Sequence, residues 1–372
     1  MMRGIGILAA AALGLTWCAS AAPKWQLEYF YDQDKSEFTL NDLKFPSART
    51  GIAVGFLSEE RRTRPAALVT NNGGRQWEVE RLKEPGLSLF FLNDSLGWMV
   101  TPRGIWRTEE AGRGWKKISS LRDILRVHFV DPRHGWAVGL RKSMLETTDG
   151  GATWRKVEAV SQFKGNPDYI AFAGIAFVNP QVGMVTGWYR PPRRSDRGLP
   201  DWIDPEAARS RREVPGTAIF LETRDGGKTW TSEIASTFGR VTRIQFLPNG
   251  VGLGLVELMG SLDEFSSEVH AINWRTGKSE RVFRDRNLVV TDIALLPSGG
   301  ALLAAIESAG RLKRSPIPGK LRVLHSPDLK TWTRMEVDYR ATGLRATLAV
   351  GDEGQVWIGT DTGMLLKLVN SQ

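Results

Sequence analysis

Short runs in the strand period dominate the chain, such as Leu125–Val130, Trp136–Gly139 and Ser143–Thr147. This two-residue period is that of half-buried strands. After the first 21 residues, no stretch repeats its apolar positions with the helical period. Glycine, asparagine and aspartate punctuate the runs, so each unit reads as strand, turn, strand, loop, strand, tight turn, strand. Four short strands in a unit of about 40 residues is the sequence form of one propeller blade.

The units are marked by a recurring turn. Thr70-Asn71-Asn72-Gly73-Gly74-Arg75-Gln76-Trp77 returns as Thr108-Glu109-Glu110-Ala111-Gly112-Arg113-Gly114-Trp115. It returns again as Thr148-Asp149-Gly150-Gly151-Ala152-Thr153-Trp154 and as Thr223-Arg224-Asp225-Gly226-Gly227-Lys228-Thr229-Trp230, and in shortened form as Ser326-Pro327-Asp328-Leu329-Lys330-Thr331-Trp332. The chemistry of the turn is local. Asp or Asn accepts backbone N–H groups, the glycines supply positive φ, and the hydroxyl residue caps the loop. Trp77, Trp115, Trp154, Trp230 and Trp332 then carry a large apolar area back between sheets. Asn72, Asp149, Asp225 and Asp328 are therefore read as structural, since each copy offers at most one carboxylate to a metal or a sugar.

This turn resembles the BNR or Asp-box repeat of sialidases, sortilin-type receptors and the photosystem II stability/assembly-factor family. The run Phe129-Val130-Asp131…Gly135-Trp136-Ala137-Val138-Gly139 followed by Glu146–Trp154 is most similar to the last of these. The resemblance covers most of residues 43–335. It implies a β-propeller and, for the assembly-factor family, a partner chain gripped on an Arg-rich surface.

Blades are expected at 43–82, 87–120, 124–160, 170–235, 241–284 and about 288–338, the fifth having lost its Asp box at Trp274–Lys278. Residues 344–369 hold only three strands, and Trp25–Tyr31 alternates without belonging to a blade. The economical solution is an all-β, seven-bladed propeller over residues 22–372 whose last blade is closed by this N-terminal strand; six or eight blades are the alternatives. Closure removes sheet edges that would otherwise invite aggregation.

The first 21 residues stand apart. A basic start, an apolar run Gly4–Leu15 and the small-residue site Ala19-Ser20-Ala21 read as a signal peptide cleaved after Ala21. The expected location is periplasmic or secreted, and lipid anchoring at Cys18 is the lesser alternative because Trp17 fits a lipoprotein signal poorly. Cys18 is the only cysteine, so disulfide scaffolding and a cysteine-based zinc site are excluded. No later segment is apolar and long enough to span a bilayer.

Standard catalytic constellations are missing. Gly226-Gly227-Lys228-Thr229 looks like the end of a phosphate-binding loop, but Glu222 stands where its first glycine belongs. His128, His134, His270 and His325 lack ligand spacing, and no G-x-S-x-G or calcium-loop pattern occurs. A sialidase-like reading would need an R-I-P motif before the first Asp box, and there is none. Tyr339, between Asp338 and Arg340, is its one late candidate nucleophile. No catalytic residue, metal or cofactor is assigned.

What remains is charge. The chain carries a formal +9, and arginine gathers in the loops between second and third strands. These are Arg61, Arg62 and Arg64 in blade one, and Arg141 with Lys142 in blade three. Blade four carries Arg190, Arg193, Arg194, Arg197, Arg209, Arg211 and Arg212, and blade six carries Arg311, Lys313, Arg314 and Lys320. In a propeller such loops emerge on one face. Arginine forks favour carboxylate or phosphate, so the expected ligand is a protein or acidic peptide bound by a monomeric, non-catalytic assembly or stability factor of an envelope or membrane complex. A glycan, with a sialidase-like hydrolase or glycan-binding module behind it, is the alternative; nucleic acid is not expected for an exported chain.

Overall fold

In the computed structural model of the chain the described residues are 23–33, 35–59, 62–190, 216–237, 239–258, 267–309, 311–312, 315–351 and 354–369. The expected signal peptide lies outside them. Seven sheets make seven blades, six of them running antiparallel from an inner to an outer strand in chain order and the last taking the N-terminal strand as its outer one. Their inner strands are Ser36–Lys44, Ser88–Phe91, Ile124–Phe129, Ile170–Asn179, Gly239–Phe246, Leu288–Leu295 and Ala346–Val350. Each contacts the next, and Ala346–Val350 returns to Ser36–Lys44, so the ring is closed. Among the described residues only two short 3-10 turns, Glu158–Gln162 and Pro167–Tyr169, interrupt the strands.

Covering explains the hydropathy. Gly97–Thr101, Gly135–Gly139 and Val356–Thr360, all second strands, are buried at every position because neighbouring blades cover both faces of the sheet. Six apolar clusters each draw on two adjacent blades. Between blades four and five, Arg240 stacks 4.8 Å from the Trp188 ring and the Thr186 hydroxyl donates to the carbonyl of Val241 at 3.1 Å.

The N-terminal strand completes the last blade. Lys24–Phe30 runs antiparallel to Met364–Val369, pairing Trp25 with Leu368 and Phe30 with Met364. It also touches blade six in parallel, Lys24 with Glu336 and Trp25 with Val337, a contact the sequence did not suggest. The first blade begins at Ser36 rather than at residue 43, because Phe38 and Leu40 are buried and extend its inner strand.

Candidate functional site

The Asp-box turns occupy the face that carries the connections between first and second strands. In blade three Asp149 accepts the Thr147 hydroxyl at 2.8 Å, the Thr153 N–H at 2.9 Å and the Thr153 hydroxyl at 2.6 Å. The capping hydroxyl is thus Thr147, which also receives the Gly151 N–H at 2.9 Å. Asp225 in blade four repeats this set, and Asn72 in blade one keeps its core, accepting Thr70 and the Gln76 N–H at 3.0 Å each. Asp328 accepts the Ser326 hydroxyl and two backbone N–H groups. Blade two, with Glu110 at the acidic position, retains the Thr108 cap, which accepts the N–H groups of Glu110 and Gly112.

Hydrogen bonds hold these carboxylates ionised. Those from Thr153 push Asp149 far below the usual range, those from Thr229 lower Asp225, and backbone N–H groups bring Asp328 to about 2. The turn is pinned across to its own blade's first connection: Gly73 N–H to Arg49 C=O, Ala111 to Ser95, Gly150 to Arg133 and Gly226 to Gln181, all at 2.8–2.9 Å. Trp77, Trp154 and Trp230 return their indole N–H to a turn carbonyl, whereas Trp332 donates to Val282 of blade five at 3.0 Å. No cluster of three or more metal-ligating side chains occurs among the described residues.

The turns between second and third strands share the opposite face, since successive blades have the same strand order and their inner strands run in the same sense. Arg62 is exposed at its turn, and Arg64 meets Glu59 at 3.5 Å. In blade three the turn Leu140–Ser143 is closed by a 3.1 Å bond from Ser143 N–H to Leu140 C=O, and both central residues are left-handed, Arg141 at φ 54° and Lys142 at φ 60°. This is the conformation that favours Asn-Gly. Two long cations there store backbone strain, which gathers at functional positions. Arg141 pairs with Asp168 at 3.2 Å, and Lys142 donates to the carbonyl of Phe163. Burial and the charge of Lys156 lower the Lys142 pKa.

At the seam of blades four and five the Arg190 N–H donates to Tyr169 C=O at 2.8 Å. Arg240 beside it has its pKa lowered by burial and then by the charge of Arg190. Arg61, Arg193, Arg194, Arg197, Arg209, Arg211, Arg212, Lys313 and Arg314 lie outside the described residues, as does the side chain of Arg311. Sequence reading missed Arg240, whose place on the seam depends on the ring, and it missed Asp42, Arg126, Arg243 and Asp292, which line a cavity between the inner strands.

Tyr339 is 85% exposed, and Asp338 beside it is engaged with Arg340 at 2.6 Å. The carboxylate that could act on a substrate is thereby committed to the adjacent guanidinium, which holds it down to about 2.

The sequence model of the family described as "Photosynthesis system II assembly factor YCF48" matches residues 119–189, blade three and the first half of blade four. The photosystem II assembly protein Ycf48 of Thermosynechococcus vestitus is 26% identical over 149 residues, 37% of this chain and 43% of that protein, so the match spans less than half of its length. The photosystem II assembly lipoprotein Ycf48 of Prochlorococcus marinus is 23% identical over 291 residues, 75% of this chain and 80% of that protein. Among solved structures, YCF48 bound to a D1 peptide superposes with a TM-score of 0.58 at 17% identity, covering 94% of this chain and 96% of that one. No helix among the described residues is long and apolar enough to cross a membrane. The chain is a seven-bladed propeller of the BNR type that resembles the photosystem II assembly factors over most of its length.

Proposed function

We propose that the chain is an exported, non-catalytic propeller that binds a protein or peptide partner and serves as an assembly or stability factor for an envelope or membrane complex. The observation that carries this reading is the alignment with an assembly lipoprotein through three quarters of the chain. The docking surface is the face of the second-to-third-strand turns, with Arg62, Arg64, Arg141 and Arg190. Arginine there recognises carboxylates by paired N–H donors, and the partner segment is an acidic peptide. A peptide is also what the solved relative carries. Ion pairs with Glu59 and Asp168 are exposed and weak, about 0–1 kcal/mol each, so a partner carboxylate can displace them. Export rests on the N-terminal segment and agrees with the lipoprotein name of the Prochlorococcus relative.

The test is affinity capture from envelope extract with wild type and with Arg62→Glu, Arg64→Glu, Arg141→Glu and Arg190→Glu combined. The reading expects one partner identified by mass spectrometry whose recovery falls at least tenfold in the variant. Equal recovery would show these cations to be solvated charge. Turnover of a fluorogenic sialoside that disappears in Tyr339→Phe would overturn the non-catalytic assignment.

A further inference from the structure

Five inner strands share one irregularity. Their pairing with the second strand slips at Leu40/Asp42, Ile124/Arg126, Phe172/Gly174, Val241/Arg243 and Val290/Asp292. A bulge of this kind re-aims the residue that follows it. In every case that residue, Asp42, Arg126, Gly174, Arg243 or Asp292, lines a cavity of about 100 Å³ between the inner strands. Three water molecules fill roughly that space at about 30 Å³ each, which is room for a small ion.

The two aspartates are occupied by the ring. Asp42 accepts the N–H of Leu43 at 2.9 Å and of Leu89, in blade two, at 2.8 Å. Asp292 accepts Ile293 at 3.0 Å and Leu348, in blade seven, at 2.9 Å. Lys44 lies 3.3 Å from Asp42, and Arg243 Nε lies 3.4 Å from Asp292. No hydrogen bond or ion pair from the described residues reaches the guanidinium of Arg126. Burial and the like charge of Arg243 press its pKa down to about 10. Gly174, on the blade between these two arginines, contributes only backbone to the wall. Three cations thus face two carboxylates that already serve backbone donors, and the excess is positive.

We propose that this axial cavity binds one small oxyanion, a carboxylate, phosphate or sulfate, held between Arg126 and Arg243. The bound ion would relieve the repulsion between the two guanidiniums and tie blades three and five across Gly174. Guanidinium forks suit the paired oxygens of such ions. This site is separate from the partner surface and does not depend on it.

The test is thermal unfolding of the purified chain, residues 22–372, in parallel titrations of sodium phosphate, sodium sulfate and sodium formate, with ionic strength held constant by sodium chloride. A ligand that binds only the folded state raises the midpoint in a saturable way. At least one titration should do so, and which one does identifies the class of ion. The rise should vanish in Arg126→Gln, weaken at least tenfold in apparent affinity in Arg126→Lys, and persist in Arg141→Glu on the turn face. No saturable rise with any ion, or an undiminished rise in Arg126→Gln, would overturn the proposal. If neither Arg126 variant folds, isothermal titration of the wild type decides: one site per chain upholds it and none refutes it.

Discussion

Gly227 of blade four lies against the indole of Trp136 in blade three, so closely that a β-carbon on the glycine would stand 2.4 Å from the ring. The same juxtaposition joins Gly74 to Trp357 of blade seven at 2.1 Å and Gly112 to Ile52 of blade one at 2.1 Å. The second glycine of the Asp box is thus required twice, for its positive φ and for the neighbouring blade's side chain. The motif is a fastening between blades as much as a turn within one.

Gly227→Ala should therefore cost about 2–4 kcal/mol, adding a packing clash to the strain of φ +86°. Gly277→Ala is the control, with φ +66° and nothing within 4 Å of an added methyl; it should lose only about 1–2 kcal/mol. Urea unfolding of both variants measures the difference, and equal losses would remove the inter-blade role.

Trp25 is 1% exposed, pairs with strands of both blade six and blade seven, and sets its indole N–H 3.4 Å from Met335 Sδ. Trp25→Ala should cost about 3–5 kcal/mol. Amide exchange should accelerate first in Met364–Val369, whose outer neighbour is loosened. A loss spread evenly over all seven blades would argue against a local closure.

Acid should destabilise the fold in two stages. His128 stacks 5.1 Å from Phe177 and lies tilted 4.9 Å from Phe90, and burial lowers its pKa from 6.5 to about 4. Between those values the unfolded chain takes up a proton that the folded chain refuses, so stability drops as pH falls from 6.5 to 4, by about 3 kcal/mol in all. His128→Phe should flatten that segment of the profile. The Asp-box carboxylates have lowered pKa values, so their contribution is intact above about pH 4 and is lost as pH falls further. Asp149→Asn should reduce this second drop. Urea midpoints measured at a series of pH values separate the stages.

Much of this molecule is legible in its sequence because its fastenings are local. Asp149, Thr153 and Trp154 lie within six residues of one another and announce their turn without reference to the rest of the chain. The unclaimed strand around Trp25 likewise implies a blade in need of an edge. The axial charges were not legible, since Arg126 and Arg243 meet only when two bulges turn them inward from strands more than 100 residues apart. The early start of blade one escaped for a related reason: Phe38 and Leu40 are buried by Trp357 and Leu365, which lie at the far end of the chain.

Amide hydrogen exchange of the chain alone and in complex with its captured partner tests the docking face most directly. Protection should rise in the turns between second and third strands, above all at Gly139–Met144 and around Arg62, while the Asp-box turns at 70–77, 147–154 and 223–230 stay unchanged. Protection confined to the Asp-box turns would place the partner on the opposite side of the ring and contradict the assignment.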